Sequence, residues 1–391
     1  MEETSGHDAA EQSRSREGDA LSRDHERSQS DRSDDSASPD SQTRQDTGER
    51  GSSSPNSQAQ QDAAEQSPRS QTRHHAERVT LARLPSGVEV ATTVHRYDGA
   101  EAGPTVYVQA AQHGREINGS EVLRRIHDRL RRDALAGTVI AVPVANPLTF
   151  DRVSYTAPAA LDSVNPNMNR VWPGDPSGSL HQRMAARLWE YAGDADAIVD
   201  LHTGSPDMLP HVVYAEGDAD ARSLAAAFGT DLLLAEPAGD DAPDEWRARG
   251  FDGKLRVAAA REGITAITPE LAHNKQLVDP AIETGVTGLL NALRHLNVLP
   301  GDVEDNGTPR RARNHLGSVD AEASGLFRVT GEFAVGDRIS EGTTIGTVYD
   351  PATYESLQTV RAGQDGILYA LTREATVTAG DRLAGIALVD G

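Results

Sequence analysis

Residues 104–130 read PTVYVQAAQHGREINGSEVLRRIHDRL and decide the predicted fold. The first eight residues are a short, mostly apolar run of the kind that forms a buried strand. Farther on, apolar residues recur at the spacing of one helical face, namely Leu123, Ile126 and Leu130. The stretch therefore predicts a strand that leads into a helix, with His113 at the junction.

The same alternation of strand and helix patterns continues to about residue 300. Further strand-like runs are TVIAVPVANP, DAIVDLHTG, HVVYA, TDLLLA and GITAITPEL, and helical patterns occur between several of them. Strands that alternate with helices imply a largely parallel sheet covered on both faces. The predicted fold class is therefore α/β, a three-layer α/β/α sandwich with a mixed, largely parallel sheet. In such sheets a site assembles at the carboxyl ends of the strands.

Composition divides the chain into four predicted parts. In residues 1–78 the only Val, Ile, Leu, Phe, Trp or Tyr is Leu21, so the segment cannot bury enough apolar surface to fold and is predicted to be a disordered acidic tail. Residues 79–300 form the predicted α/β domain. Residues 301–318 are polar and are predicted to be a linker. Short alternating runs between Gly and Asp turns predict a small all-β domain over residues 319–391.

The chain contains no cysteine and has a formal net charge of −22, from 60 Asp and Glu against 38 Lys and Arg. Without cysteine, disulfides, thiol nucleophiles and Cys-zinc sites are excluded, and any metal must be bound by His, Asp or Glu. The acidic balance argues against nucleic-acid binding, which requires a basic face. No apolar stretch approaches the roughly 20 residues of a membrane span, and the N-terminus lacks a signal-peptide core. We therefore expect a cytoplasmic protein with no membrane partner.

The positive charges are almost all arginine, because Lys254 and Lys275 are the only lysines. An acidic, lysine-poor surface is typical of proteins in a salt-rich cytoplasm, where salt screens the repulsion between carboxylates. The alternative is a high-GC genome whose codons favour arginine. The sequence favours the halophilic interpretation.

A histidine and an acidic residue stand three positions apart at three places, which are His74/Glu77, His95/Asp98 and His113/Glu116. The composition predicts about two such pairs by chance, so the spacing alone decides nothing. The first pair lies in the predicted tail. The second lies at the end of the run VTLARLPSGVEVATTVHRY, which alternates around Pro85-Ser86-Gly87 and predicts a hairpin. Only the third lies between a strand and a helix, where positions i and i+3 can share one metal ion.

Two later strands end in residues that complete a possible metal site. His202 ends the run VDLHTG, and a third ligand there leaves a fourth position open to water. Glu270, in TPEL, can act as a general base for that water. Arg152 and the pair Asn169 and Arg170 lie in a loop between a strand and a helix. Arginine there can polarise a carbonyl or bind a carboxylate.

Five motifs occur in the order QHGREINGSE, NPLTF, NMNRVWPG, VDLHTG and TPEL. In these motifs the chain resembles the succinylglutamate desuccinylase and aspartoacylase family, a branch of the zinc carboxypeptidase-like superfamily. The resemblance covers about residues 104–290. It implies that residues 79–300 are a catalytic domain that hydrolyses an amide with one Zn²⁺ per chain.

The resemblance also implies a role for each candidate residue. The zinc ligands would be His113, Glu116 and His202; Glu270 would be the base and proton shuttle; Asn169 and Arg170 would hold a substrate carboxylate; and Arg152 would assist the carbonyl. Asn167 departs from the family, which usually has Asp there to orient a ligand histidine. Either the metal affinity is lowered, or Asp162 or Asp200 supplies that carboxylate.

The activity implied is that of a deacylase of the desuccinylase or deacetylase kind, acting on an N-acyl amino acid or related small amide that bears a carboxylate. A zinc carboxypeptidase acting on short peptides is the alternative enzyme, and a C-terminal domain that caps the cleft would exclude peptides. A non-catalytic zinc-binding or ligand-binding protein is the alternative of another class. The oligomeric state is left open.

Overall fold

The computed structural model of the 391-residue chain describes residues 72–132, 134–204, 207–237, 244–305, 307–313 and 317–389. Of the tail predicted to be disordered, residues 1–78, the part up to residue 71 lies outside these ranges. The described residues belong to one compact unit. None of their helices is long and apolar enough to cross a membrane.

The described residues contain eighteen strands. In chain order they are β1 (Arg73–Arg83), β2 (Glu89–Asp98), β3 (Glu101–Ala110), β4 (Ala136–Val142), β5 (Ala197–Gly204), β6 (Asp207–Met208), β7 (His211–Ala215), β8 (Leu232–Glu236), β9 (Thr265–His273), β10 (Arg310–Arg313), β11 (Ser318–Asp320), β12 (Gly325–Val329), β13 (Arg338–Ile339), β14 (Thr344–Tyr349), β15 (Ser356–Arg361), β16 (Gly366–Leu371), β17 (Thr376–Val377) and β18 (Arg382–Val389).

The helices of the same ranges are α1 (Asn118–Arg132), α2 (Pro147–Phe150), α3 (Leu180–Ala192), α4 (Ala219–Phe228), α5 (Asp244–Ala248), α6 (Leu255–Arg261) and α7 (Asp279–His295). Two short 3-10 turns lie at Met168–Arg170 and Phe251–Gly253.

Fourteen of the described strands form one mixed sheet, in the order β1-β2-β4-β3-β5-β9-β7-β8-β10-β18-β16-β13, with β11 beside β18 and β6 beside β16. Pairing is parallel from β4 through β3 and β5 to β9, and again from β7 through β8 to β10. Strand β7 runs antiparallel to β9 and joins the two parallel runs. Because β3, β5 and β9 point the same way, their carboxyl ends meet at one edge.

Helices cover both faces of this sheet. Alternate residues of β3 belong to different cores, since Val106 and Val108 pack in one cluster and Tyr107 packs in the other. The first core is closed by α1, α4 and α7, and the second by α3 and α6. The predicted three-layer sandwich is confirmed.

The C-terminal part is all β, as predicted. Strands β15, β14, β12 and β17 form a separate four-stranded antiparallel sheet, while β16 and β18 extend the large sheet. The predicted linker over residues 301–318 is wrong at Arg310–Arg313, because β10 pairs with β8 on one side and β18 on the other. The segment RRAR has no apolar alternation, so backbone hydrogen bonds supply its order.

The predicted end of the tail at residue 78 is also wrong. Strand β1 begins at Arg73 and pairs with β2 along its whole length, from Arg73 opposite Asp98 to Arg83 opposite Glu89. Most side chains of residues 73–78 are exposed, so their composition resembles that of the preceding segment. Pairing with β2 satisfies their backbone groups without an apolar core.

Close packing of α1 against the sheet depends on Gly119. A Cβ atom at this position would lie 2.7 Å from Cβ of Leu201 and 3.0 Å from Cβ of Ala110. We expect Gly119→Val to lower the free energy of unfolding by about 1–3 kcal/mol, because overpacking forces α1 away from β3 and β5. Urea denaturation measures the change. Gly363→Val is the control, since nothing lies within 4 Å of a Cβ there, and an equal loss in both variants would contradict the assignment.

Candidate active site

Four of the predicted residues meet at the carboxyl edge of the sheet. His113 and Glu116 lie in the turn between β3 and α1, and His202 lies near the end of β5. Glu270 lies on β9, directly beside His202 in the parallel register of the two strands. The sheet topology therefore brings together residues that are 157 positions apart in the sequence.

His113, Glu116 and His202 form a compact buried group. One ligand atom of each lies within 4.8 Å of the other two, and the residues are 2%, 4% and 4% exposed. Nδ1 of His202 is 3.0 Å from Oε2 of Glu116, which also accepts a hydrogen bond from the backbone N–H of Thr203. Two imidazoles and a carboxylate are the donor set of many catalytic zinc sites.

Each histidine is held in orientation through one ring nitrogen. Nδ1 of His113 is 2.8 Å from the carbonyl oxygen of Tyr155, whose ring stacks on the imidazole at a centroid distance of 3.9 Å. Nε2 of His202 is 2.9 Å from Oδ2 of Asp200. A partner on one nitrogen fixes the ring and leaves the other nitrogen for a metal. The residues present therefore fit a zinc ion.

The histidine-orienting carboxylate is that of Asp200. Oδ1 of Asn167 instead accepts from the backbone N–H of Asn169 at 2.9 Å. Asp162 accepts from the hydroxyl of Ser179 and so supports the loop that leads into α3. Of the two carboxylates that the sequence offered, Asp200 contacts a candidate ligand, and its position on β5 supplies the support that Asn167 does not give.

Burial and opposite charge act against each other on the three candidate ligands. Burial lowers the pKa of His113 to about 4. Burial also acts to lower the pKa of His202, but the Asp200 and Glu116 carboxylates outweigh it and raise that pKa well above its usual value. For Glu116 burial acts to raise the pKa, and the neighbouring histidines lower it overall. Positive charge is thus favoured at His202, between the Asp200 and Glu116 carboxylates, and disfavoured at His113.

The pKa of Glu270 is shifted in the opposite direction to that of Glu116. Desolvation within the cavity, together with the nearby Glu116 and Asp200 carboxylates, raises its pKa to about 8, although His202 and Lys254 act to lower it. A carboxyl group with a raised pKa is a stronger base than an exposed one. Glu270 therefore suits a group that takes up and returns a proton.

Arg170 and Asn169 reach the same cavity from the turn at Met168–Arg170. The Arg170 guanidinium lies 4.7 Å from the ring centre of Phe251, and its Nη1 donates to the carbonyl oxygen of Asn169 at 2.6 Å. Oδ1 of Asn169 accepts from the backbone N–H of Leu255 at 3.2 Å, which ties the turn to α6. Arg170 thus presents its charge to the cavity, and Asn169 fixes the turn that carries it.

Arg152 is not brought to the site, and its predicted role is wrong. Its side chain is exposed, with Nη1 3.5 Å from the carbonyl oxygen of Leu148, and it is not among the described residues that line the cavity. After α2 the chain makes a turn at the surface and returns at Tyr155, which packs on His113. Spacing in the sequence could not reveal this path.

The sequence analysis missed several charged residues of the cavity. Lys254 donates to Oε1 of Glu236 at 2.7 Å, and Arg256 contacts the other oxygen of that carboxylate. Arg382 enters from the C-terminal strands. The sequence contained one indication that Lys254 is special, because it is one of only two lysines in a chain rich in arginine.

The cavity has a volume of about 630 Å³ and extends from the candidate ligands to the C-terminal strands. Its wall on that side is formed by Asp320, Tyr369, Thr372, Asp381 and Arg382. Residues of the all-β part therefore border the same space as the residues of the α/β part.

Fold and site together define the class. Residues 102–296 match the family described as the succinylglutamate desuccinylase/aspartoacylase catalytic domain, and the chain belongs to this family. Its members are deacylating hydrolases. The resemblance drawn from the five sequence motifs is confirmed.

A particular relative is the N-alpha-acetyl-L-2,4-diaminobutyric acid deacetylase of Halomonas elongata, with 31% identity over 310 residues, which cover 73% of this chain and 83% of the relative. Among solved structures, a succinylglutamate desuccinylase/aspartoacylase from Rhodobacter sphaeroides is 25% identical with a TM-score of 0.69, covering 81% of this chain and 96% of that one. The product-bound ectoine utilization protein EutE (DoeB) of Ruegeria pomeroyi has the same fold, at 22% identity and a TM-score of 0.70 over 81% and 95% of the two chains.

The contact between Asp200 and His202 gives a direct test of the ligand assignment. We expect Asp200→Asn to weaken zinc binding by about 10- to 100-fold, because an amide orients the imidazole less strongly than a carboxylate does. Competition with a chelator measures the affinity. Asp196→Asn is the control, since that side chain lies just before β5 and accepts from the N–H of Thr105. Equal affinities in wild type and Asp200→Asn would argue against a metal at His202.

Proposed function

We propose that this protein is a zinc-dependent deacylase that removes the acyl group from an N-acyl amino acid or related small amide. The observation that carries the proposal is the buried group of His113, Glu116 and His202 with Glu270 beside it on the next strand. Membership of a family of deacylating hydrolases supports it.

One zinc ion per chain would be bound by His113, Glu116 and His202. When bound there, it supplies a Lewis acid that lowers the pKa of water and polarises a carbonyl oxygen. The chain orients the ligands through Asp200 and through the carbonyl oxygen of Tyr155. Burial excludes competing water from the ligands.

Glu270 performs the proton transfers in this proposal. Its carboxylate accepts a proton from the water that attacks the amide carbonyl, and it then delivers that proton to the departing amine nitrogen. The raised pKa of Glu270, about 8, favours uptake of the proton in the first step. A group that acts first as base and then as acid needs a pKa near the working pH.

Arg170 would bind the carboxylate of the amino-acid part of the substrate. Its guanidinium is held in place from both sides, by Phe251 and by the carbonyl oxygens of Asn169 and Arg249. A fixed guanidinium can bind a carboxylate with two hydrogen bonds. In an acidic chain this local positive charge attracts an anionic substrate.

A carboxypeptidase acting on short peptides is the second candidate function. The C-terminal strands border the cavity, and a wall on that side limits the length of a substrate. The relative from Halomonas elongata is a deacetylase of N-alpha-acetyl-L-2,4-diaminobutyric acid, which is a small N-acetyl amino acid. Both observations favour the deacylase. A non-catalytic binding role would not explain why Glu270 lies beside the candidate zinc ligands.

We also propose a salt-rich cytoplasm as the setting of the activity. The support is the net charge of −22 together with only two lysines. At molar salt the repulsion between surface carboxylates is screened over a few ångströms. Assays of the protein are therefore best performed in molar salt.

Glu270→Gln tests the proposed reaction. We expect wild-type protein to hydrolyse members of a panel of N-acetyl, N-succinyl and N-formyl amino acids in preference to short peptides. We expect Glu270→Gln to keep its zinc and lose about 10²- to 10⁴-fold in kcat, because the amide cannot accept the proton. Metal analysis and product assays measure both quantities.

Glu262→Gln is the matched control for this variant, because Glu262 is exposed and precedes the other end of β9. An active Glu270→Gln protein would remove Glu270 from the mechanism. Hydrolysis of peptides alone would support the carboxypeptidase instead.

Arg170→Ala tests how the substrate is bound. Loss of a hydrogen bond between charged groups costs about 1.5–3 kcal/mol, so we expect KM for an N-acyl amino acid to rise by about 10- to 100-fold. For the matching substrate with a neutral carboxamide we expect little change. Arg152→Ala is the control and keeps wild-type kinetics, because Arg152 lies at the surface. A larger effect from Arg152 than from Arg170 would reverse the assignment.

A further inference from the structure

A second group of histidines lies apart from the active site. It consists of His74 on β1, His95 on β2 and His127 on α1, and we call it the histidine cluster. His127 is nine residues into α1, about 14 Å along the helix axis from the end that adjoins Glu116. The cluster is therefore separate from the candidate zinc ligands.

Strand pairing explains why these side chains converge. His74 lies directly opposite Tyr97 in the antiparallel register of β1 and β2. His95 precedes Tyr97 by two residues, so its side chain points to the same face of the sheet. That face is covered by α1, and His127 reaches Tyr97 from the helix.

The nitrogen positions suit a shared metal ion. Nε2 of His74 and Nδ1 of His95 are 3.1 Å apart, close to the about 3.3 Å between two nitrogens on one tetrahedral zinc. One ring nitrogen of each of the three histidines lies within 4.8 Å of the other two. Nδ1 of His127 is 2.6 Å from the hydroxyl of Tyr97. When that nitrogen donates to the hydroxyl, Nε2 of His127 keeps its lone pair for a metal.

We propose that the histidine cluster is a second metal site, which binds one borderline transition-metal ion such as Zn²⁺ through three imidazoles. Imidazole is the side chain that such ions prefer among oxygen and nitrogen donors. The hydroxyl of Tyr97 orients the third ligand, as outer partners do in metal sites.

Burial favours the neutral form of two of these imidazoles, His74 and His95. Burial, and then His127, lower the pKa of both His74 and His95, and His95 and Arg131 act in the same direction on His74. Neutral imidazoles have lone pairs available at physiological pH. Asp128 on α1 acts on Tyr97 in the opposite sense to Arg131.

A metal in this position would join three elements. It would tie β1, the edge strand of the large sheet, to β2 and to the middle of α1. Because it binds only the folded chain, it would stabilise the attachment of β1 in proportion to its affinity. The metal would thus cross-link β1, β2 and α1.

Zinc stoichiometry of the full-length protein tests the proposal. After equilibrium dialysis against Zn²⁺, we expect two zinc ions per chain in wild type and one in His127→Ala. His75→Ala is the matched control, because His75 is a neighbour of His74 with an exposed side chain, and it keeps both ions. His95→Gln is a second variant that removes a ligand of the same cluster, and it keeps the test valid if His127→Ala does not fold.

Removal of the other ligand set separates this proposal from that of the active site. In His113→Ala/His202→Ala we expect one zinc ion, which addition of His127→Ala removes. If the active site bound no zinc, wild type would hold one ion that only the cluster variants lose. Stoichiometry unchanged by both His127→Ala and His95→Gln, in folded protein, would overturn the second site.

Discussion

Crowding of three carboxylates around one imidazole is the constraint on which the site depends. Glu116 and Asp200 both contact His202, and Glu270 lies beside it on the next strand. Like charges in a shielded cavity repel strongly unless positive charge compensates them. A proton on His202 or a divalent ion between the ligands provides that compensation. Desolvation, together with the nearby Glu116 and Asp200 carboxylates, raises the pKa of Glu270 to about 8.

The sheet imposes this crowding, because parallel strands bring their carboxyl ends to a common edge. The short turn after β3 adds His113 and Glu116, and the close approach at Gly119 fixes that turn against β5. Residues of the C-terminal strands then wall the cavity from the far side. Residues of the α/β part and of the all-β part thus line one shared cavity.

The sequence predicted the strands and helices that a local residue pattern determines. It failed where the path of a loop or backbone pairing determines the position of a residue. Apolar runs located β3, which leads into the turn with His113, and the strands that carry His202 and Glu270. Arg152 was misplaced because its loop turns outward, which no spacing records. Residues 73–78 of β1, which include the cluster residue His74, were assigned to the tail because backbone pairing with β2 leaves exposed side chains without an apolar pattern.

Anomalous diffraction at the zinc absorption edge, from crystals of the zinc-loaded protein, tests the central claim most directly. The account predicts a peak about 2.0–2.2 Å from a nitrogen of His113, a nitrogen of His202 and an oxygen of Glu116. Crystals of fully loaded protein with no peak among these three residues would contradict it.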